Sequence, residues 1–358
     1  MINTFIGNLG HLMTIVAFVS ALVTAFAYFQ YFKANEIEKK SWRSFSRVSF
    51  YIHTFSTVMI AISLFEIIYN HRYEYFYAYS HSSKALPVHY MISSFWEGQE
   101  GAFILWAFWN VILGVILIHT NKKWEAPVMI VFSLVQAFLV SMIMGVVIGD
   151  LKIGSSPFIL LRDATQAPIF QVNPDFVPED GTGLNPLLQN IWMVIHPPTL
   201  FLGYASTLVP FAFLMGGLVT KQYAEWIRPA LPWAIFSAMI LGMGIIMGAY
   251  WAYVTLNFGG YWNWDPVENA VYVPWLILVA SIHTMITFKK SATALKTSIV
   301  LVITSFILVL YATFLVRSGV LGDASVHSFT DLGLSGQLLI YMLFFLVVAI
   351  FLAARAWK

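Results

Sequence analysis

The feature that most constrains this chain is a series of long apolar runs separated by short polar segments. Nine runs are each long enough to cross a hydrocarbon core about 30 Å thick as a helix. A chain that is 59% hydrophobic and 10% charged is not an ordinary soluble globular protein. We therefore predict an all-α, polytopic protein of the lipid bilayer with structured outer loops. Its nine spans are expected at about 5–32, 48–69, 102–119, 126–149, 197–220, 232–253, 266–288, 297–316 and 337–357.

The distribution of Lys and Arg predicts the orientation of these spans. Fourteen basic residues fall in one set of connections and the C-terminal tail, and five fall in the other set. Basic residues are enriched in cytoplasmic loops, so the first set is expected inside. The N-terminus and the long loops 70–101 and 150–190 are then outside. No run of basic residues suggests nucleic acid as a partner, and the absence of cysteine excludes thiol chemistry by these residues.

The most unusual connection is the segment 258–269, with the sequence FGGYWNWDPVEN. It lies outside by the charge count. Asp265 before Pro266 predicts a helix N-cap, and Glu268 completes a capping box. A capping role for the two carboxylates and a binding role remain open at this point. Tyr261, Trp262 and Trp264 favour an apolar surface beside Gly260, where a flat ligand can approach closely.

This aromatic segment resembles the tryptophan-rich signature of the haem-handling proteins of cytochrome c maturation. Four further sequences in the same order narrow the resemblance to the CcmF family, the haem lyase subunit. They are WEGQEG at 96–101, NPLLQ at 185–189, HPP at 196–198 and TFLVRSGV at 313–320. The resemblance runs from about residue 96 to about 327. Phe258 and Tyr261 replace tryptophans usual in the signature, and Gln99 stands where the family often has histidine, so we assign Gln99 no haem role.

The resemblance implies the iron ligands. His196 and His327 would flank a substrate haem held by Gly260, Tyr261, Trp262, Trp264, Asp265 and Glu268. His283, inside a span near its cytoplasmic end, would ligate a structural haem b. No histidine follows His327, so the second haem b ligand is expected outside this chain, which we interpret as the N-terminal part of a longer or split protein. Arg317 is either a cation reaching for water at a helix end or a counter-ion for a haem propionate.

The local sequence around His196 carries its own prediction. Pro197 disfavours helical geometry at the residue before it. We therefore expect His196 at a break between the fifth span and a short surface helix over about 185–195. The other histidines have no motif around them. We interpret His81, for example, as a polar residue of a loop.

The resemblance implies an enzyme, a cytochrome c haem lyase that works in a complex in the bacterial inner membrane, with its active loops on the periplasmic side. Its haem would arrive on the chaperone CcmE. An apocytochrome with a Cys-x-x-Cys-His segment would supply the thiols, and other maturation subunits would assist. We predict an N-terminal hairpin with its outer loop at 1–95 and a haem-handling domain at 96–358. The alternatives are a CcsA-type haem exporter and synthase, a transporter subunit with a histidine proton path, and a non-catalytic scaffold.

Overall fold

The computed structural model describes residues 4–149, 151–256, 260–322, 324–325, 329 and 332–357. Most of their backbone is helical. The helices are α1 (Phe5–Lys33), α2 (Glu36–Tyr69), α3 (Phe76–His81), α4 (Val88–Glu97), α5 (Gln99–Thr120), α6 (Glu125–Ser141), α7 (Leu161–Ala164), α8 (Ile169–Val172), α9 (Ile191–Val219), α10 (Ile227–Thr255), α11 (Pro266–Thr287), α12 (Ala292–Arg317) and α13 (Ser335–Trp357). Two strands, β1 (Val146–Ile148) and β2 (Leu151–Ile153), pair antiparallel, and single 3₁₀ turns cover Pro186–Leu188 and Phe288–Lys290.

The predicted all-α membrane architecture is confirmed. In the described part of the chain, eight helices are long and apolar enough to cross a membrane: α1, α2, α5, α9, α10, α11, α12 and α13. Each coincides with a predicted span. The observed helices α2, α9, α10 and α12 each begin five or more residues before the predicted start of the span.

The fourth predicted span, 126–149, is too long. The corresponding helix α6 has 17 residues and ends at Ser141. Beyond it the chain turns at Gly145 and Gly149, whose φ angles are +62° and +60°, and forms the β1–β2 hairpin. Apolar residues continue through the hairpin, so hydrophobicity alone could not locate the end of the helix. The left-handed glycines are the local signal that ends it.

The spans share one connected hydrophobic core. Helix α9 lies at its centre and packs against α10, α5, α6 and α12, while the α1–α2 hairpin packs against α5 and α6. The division at residue 95 remains a prediction, although the N-terminal hairpin and the later helices contribute to the same core.

Several polar side chains within the spans hydrogen-bond to nearby backbone carbonyls. Thr14 donates to the Gly10 carbonyl at 2.9 Å, and Ser133 donates to the Met129 carbonyl at 2.7 Å. His53 is fully buried and its Nδ1 lies 2.9 Å from the Ala17 carbonyl, so it joins α2 to α1. These bonds satisfy three side-chain donors in the apolar interior. Other buried groups of the spans, such as Ser56 Oγ and Asn110 Nδ2, have no partner among the described residues.

Consecutive spans alternate in direction, so the short elements gather at one end of the bundle. Helices α3 and α4, the hairpin and the 154–190 connection all lie where α2 and α6 end and where α5 and α9 begin. The C-terminal ends of α10 and α12 and the start of α11 reach the same end. This convergence of helix ends forms the walls of a large cavity.

Candidate functional site: a cavity at one end of the helix bundle

The cavity has a volume of about 720 Å³, which is in the usual range for small-molecule and cofactor sites. Helices α3, α9, α10, α11 and α12 line it, together with the turn between α4 and α5. Most of the wall is apolar, and a few polar side chains converge on it. Those with charge or an imidazole are His81, Glu97, Glu100, His196, Glu268 and Arg317.

His196 lies inside α9, which continues without interruption from Ile191 to Val219. The predicted break at Pro197 is therefore wrong, and so is the separate surface helix, which is reduced to the 3₁₀ turn at Pro186–Leu188. Pro197 has no N–H for the Met193 carbonyl four residues earlier. The Trp96 indole N–H supplies that hydrogen bond instead, at 2.9 Å. A tertiary contact thus offsets the missing helical bond, which sequence spacing could not show.

The His196 ring is fixed by α10. Its Nδ1 lies 2.8 Å from the Gly244 carbonyl oxygen, which can only accept, so Nδ1 carries the proton and Nε2 carries the lone pair of the neutral ring. The ring packs on Gly248, where an added Cβ would lie 2.6 Å from the imidazole. Gly248 is therefore required for this close approach of α9 and α10. A backbone-anchored histidine of this tautomer is a usual form of iron ligand.

Arg317, the last residue of α12, is only 5% exposed. Its guanidinium carbon lies 5.0, 5.7 and 4.7 Å from the ring centroids of Phe103, Phe201 and Phe329. The buried Nη1 has no hydrogen-bond partner among the described residues, and no described carboxylate lies within ion-pair distance. A cation that reaches for water at a helix end would be exposed, so this placement favours the counter-ion alternative. The guanidinium is a strong anion-binding group held at the cavity wall.

The aromatic segment divides between the cavity and the surface. Trp262 lines the cavity, and its indole N–H is buried without a partner in the described ranges. Trp264 stands at right angles to it, 5.8 Å away, and is 68% exposed. Tyr261 is 54% exposed and stacks on Tyr253 at 4.2 Å. The backbone of Trp264 has φ +52°. This left-handed conformation is unfavourable for a bulky residue, and such strained backbone conformations cluster at functional sites.

The two carboxylates of this segment have different positions. Asp265 is buried and accepts from the backbone N–H of Val267 at 2.9 Å, so its capping role is confirmed. It also accepts from Ser325 Oγ at 2.8 Å, which ties the loop after α12 to the start of α11. Glu268 lines the cavity, and its Oε2 accepts weakly from the Asn263 N–H at 3.4 Å. Gly260 has open space around its Cα.

Tyr77 inserts into the turn that carries Glu97 and Glu100. Its hydroxyl donates to the Phe95 carbonyl at 2.8 Å and accepts from the Gly98 N–H at 3.1 Å. A Cβ at Gly98 would lie 2.6 Å from the tyrosine ring. The glycines of this motif therefore make room for Tyr77, which holds both carboxylates at the cavity wall.

Sequence reasoning assigned no role to His81 or Glu97. His81 ends α3 and lines the cavity, and burial lowers its pKa despite a hydrogen bond to the Tyr77 carbonyl. Burial also raises the pKa of Glu97 to about 8, opposed by a hydrogen bond from the Asn185 backbone. Its Oε2 is buried without a partner among the described residues. For Glu97, the family motif at 96–101 was the sequence feature that could have indicated a site residue. No sequence motif includes His81.

The raised pKa of Glu97 predicts a pH-dependent stability. Between pH about 4.5 and about 8 the unfolded chain loses this proton while the folded protein retains it, so folding loses stability as the pH rises. Glu97→Gln cannot ionise and avoids that loss. We expect its gain in Tm over the unmodified protein to be at least about 2 °C larger at pH 8 than at pH 5. Thermal unfolding in detergent measures this, with the exposed Glu179→Gln as a control. Equal gains in Tm at both pH values would contradict the raised pKa of Glu97.

The remaining predicted ligands lie away from this cavity or outside the description. His283 is exposed on α11, and its Nδ1 lies 2.8 Å from the Val279 carbonyl. His327, Phe258 and Gly259 lie outside the described residues. Within the described ranges, no group of three or more His, Cys, Asp or Glu side chains could hold a metal ion.

Comparison with known proteins identifies the relatives of this fold. The family described as "Cytochrome C assembly protein" matches residues 96–321. The chain is 38% identical over 275 residues to CcmF of Pseudomonas fluorescens, covering 76% of this chain and 38% of the relative. It is 36% identical over 278 residues to CcmF of Escherichia coli strain K12, with coverages of 76% and 39%. NrfE of Haemophilus influenzae is 31% identical over 343 residues, with coverages of 95% and 49%.

A solved structure of "Cytochrome c Heme Lyase CcmF" has the same fold. It superposes with a TM-score of 0.75 at 20% identity, over 99% of this chain and 52% of that chain. The chain thus spans about half the length of that protein and between 38% and 49% of the three relatives above.

Proposed function

This chain belongs to the cytochrome C assembly protein family and is homologous to the CcmF proteins, and we propose that it is the haem-binding part of a cytochrome c haem lyase. One observation carries the proposal. A single cavity of about 720 Å³ presents an anchored imidazole, His196, and a buried guanidinium, Arg317. Haem combines a metal that takes imidazole ligands with propionates that need cations.

The cavity residues fit a haem molecule as a substrate. Apolar walls receive the porphyrin faces, His196 Nε2 ligates the iron, and Arg317 pairs with a propionate. Trp262 contributes a ring and a buried N–H to the same wall. His327, together with His196, remains a proposed iron ligand by family resemblance. Tyr261 and Trp264 are exposed beside the cavity, and we propose that they contact the arriving haem or its carrier.

The reaction we propose is thioether formation between the haem vinyl groups and the two thiols of an apocytochrome Cys-x-x-Cys-His segment. These 358 residues contain no cysteine, so both thiols come from the substrate protein. The chain contributes by holding the haem in one orientation and by excluding water from the porphyrin faces, since positioning alone can supply much of a rate enhancement. CcmE as the haem donor and other maturation subunits as partners complete this proposal.

The lysine and arginine distribution supports an orientation with the cavity outside the cytoplasm. The opposite end of the bundle contains most of the basic residues, among them Lys39, Lys40, Lys122 and Lys123. The cavity end is poor in them. We propose the bacterial inner membrane with the cavity on the periplasmic side, where an exported apocytochrome can reach it.

His283 is a suitable single ligand for a structural haem b. Its ring is exposed on α11, and Nδ1 is held by the Val279 carbonyl, so Nε2 carries the lone pair. A bound haem b would add electron transfer that keeps the substrate iron reduced. We propose that the second ligand comes from outside this chain. His283→Ala is expected to remove most of a b-type optical spectrum from the purified protein while haem capture at the cavity persists. Loss of both signals together would contradict two separate sites.

The direct test of the cavity is His196→Gly. We expect at least a tenfold loss of haem affinity, because the backbone-anchored imidazole is removed. Added imidazole should restore much of that affinity by filling the space on Gly248. The control is His119→Gly, which changes an exposed histidine in the last turn of α5. Unchanged haem binding by a folded His196→Gly protein would overturn the proposal.

The placement of the polar groups bears on the transporter alternative. Transporters bind substrates and ions near the membrane midplane. Apart from His196, the charged and imidazole side chains of this cavity instead lie at helix ends: Glu97 ends α4, Glu268 is in the first turn of α11, and Arg317 ends α12. Haem handling at the membrane surface accounts for this placement better than a path through the bilayer.

A further inference from the structure

Glu97 is a carboxylic acid in the wall of the cavity that contains His196. It is the last residue of α4, outside the membrane-spanning helices. Tyr77 fixes the turn around it, because the Tyr77 hydroxyl is bonded to the Phe95 carbonyl and to the Gly98 N–H. The backbone on both sides of Glu97 is therefore held in place, and its side chain has a defined position in the wall.

The carboxyl group of Glu97 is suited to donate a hydrogen bond. Burial raises its pKa to about 8, so the group is mostly protonated at neutral pH. A neutral carboxyl group carries one O–H donor, whereas the ionised form only accepts. The backbone of Asn185 supplies one hydrogen bond to the group, while Oε2 is buried without a partner among the described residues. Oε2 can thus carry the proton and offer it to a ligand in the cavity.

Glu97 and Arg317 lie on the same side of the cavity. The Tyr77 hydroxyl interacts electrostatically with Glu97, and the Arg317 guanidinium interacts electrostatically with the same hydroxyl. Both residues line the cavity, and each has a polar atom, Oε2 of Glu97 and Nη1 of Arg317, that is buried without a partner in the described part of the chain. This wall therefore presents two hydrogen-bond donors, one charged and one neutral, to the same end of a ligand.

We propose that neutral Glu97 donates a hydrogen bond to one propionate of the bound haem while Arg317 pairs with the other. The inference rests on the proposed function, since it requires haem in this cavity. Haem carries its two propionates side by side on one edge and its vinyl groups on the other two pyrrole rings. Two donors on one wall match the propionate edge. They select a ligand with two adjacent carboxylates and turn its vinyl groups away from this wall.

The ionisation of Glu97 makes this contact dependent on pH. A propionate stabilises the protonated form of Glu97, and ionised Glu97 would repel it. Haem affinity is therefore expected to fall by up to about tenfold per pH unit above pH about 8, as Glu97 of the free protein loses its proton. Among the described residues, the other charged or titratable side chains that line the cavity are Tyr77, His81, Glu100, His196, Tyr204, Glu268 and Arg317. A substitution of Glu97 alone leaves all of them in place, so it isolates the contribution of Glu97.

The test is a titration of the full chain in detergent with ferrous haem at about pH 6.5 and about pH 9.5. Ferrous haem is used because ferric haem binds hydroxide at high pH. We expect the unmodified protein to bind haem at least about tenfold more weakly at the higher pH. Glu97→Gln keeps a donor of similar size and cannot ionise, so its affinity should differ by less than about threefold between the two pH values. Glu179→Gln, at an exposed position, is the control and should behave as the unmodified protein.

A second variant and a second ligand separate hydrogen-bond donation from the removal of a charge. Glu97→Ala has no donor, so at about pH 6.5 it should bind haem at least about tenfold more weakly than Glu97→Gln. Haem dimethyl ester has no ionised propionates, so Glu97→Gln should not change the pH dependence of its binding.

Four results would each overturn the inference and leave the proposed function standing. They are equal haem affinity of the unmodified protein at both pH values, a loss of affinity at high pH that persists in Glu97→Gln, equal haem affinity of Glu97→Ala and Glu97→Gln, and the same Glu97-dependent loss for haem dimethyl ester as for haem. If the unmodified protein takes up no haem at either pH, the proposed function fails and this inference fails with it.

Discussion

Replacing Glu125 with glutamine is expected to destabilise the protein by about 3–5 kcal/mol, because it leaves two arginines facing a neutral side chain. Glu125 begins α6 and its side chain is fully buried. Arg43 Nη2 lies 2.9 Å from its Oε2, and Arg47 Nε lies 2.6 Å from its Oε1. The Tyr28 hydroxyl donates to Oε1 at 3.3 Å. One carboxylate thus joins α1, α2 and α6.

The matched control is Glu36→Gln, in which the lost partner is Lys39 at 2.9 Å on the exposed start of α2. Exposed ion pairs contribute little, so this variant should change the free energy of unfolding by less than about 1 kcal/mol. Unfolding by a denaturing detergent, followed by tryptophan fluorescence, compares the two. Equal effects would mean that the Glu125 cluster does not hold the helices together.

The Glu125 cluster also illustrates what the sequence could not predict. Arg43 and Arg47 entered the sequence analysis only among the fourteen basic residues that were counted to predict the membrane orientation. Their partner lies 82 and 78 positions away in the chain. Spacing along one helix reveals ion pairs between residues three or four positions apart. It does not reveal ion pairs that form when different helices pack together.

The membrane helices were the most predictable part, for a simple physical reason. A helix that satisfies its own backbone hydrogen bonds is one of the few structures that can cross a bilayer. A long apolar run therefore strongly predicts a membrane-spanning helix. The errors occur where a tertiary contact alters the local rule. The helix continues through Pro197 because Trp96 supplies the hydrogen bond that the proline removes. The fourth span stops at Ser141, ahead of a hairpin that is as apolar as the helix.

The candidate site was predictable in its parts but not in its arrangement. The N-cap at Asp265 follows from its position before Pro266, and the structure has it. The adjacent aromatics gave no indication that Trp262 would line the cavity while Tyr261 and Trp264 stay exposed. Side-chain direction in an irregular segment depends on individual backbone angles, such as the positive φ of Trp264. No periodicity encodes those angles.

Arg317 combines two effects that can be separated by experiment. Its guanidinium is buried between aromatic rings, and Nη1 lacks a partner among the described residues. Burial of a charge without an ion-pair partner is unfavourable, and the three cation–π contacts offset part of that penalty. An anion bound in the cavity would pair with this guanidinium. The same side chain is therefore expected to lower the stability of the ligand-free protein and to raise its affinity for haem.

Arg317→Met is accordingly expected to raise the Tm of the ligand-free protein and to weaken haem binding by about 2–5 kcal/mol, which is about 30-fold or more. Arg317→Lys keeps the charge without the bidentate geometry and should lie between the two. Arg355→Met, at an exposed arginine near the end of α13, is the control and should change neither quantity. Thermal unfolding and haem titration on the same samples give both measurements. If Arg317 were only structural, Arg317→Met would lower both the Tm and the haem affinity. A raised Tm together with a lowered haem affinity is therefore the result that identifies an anion-binding residue.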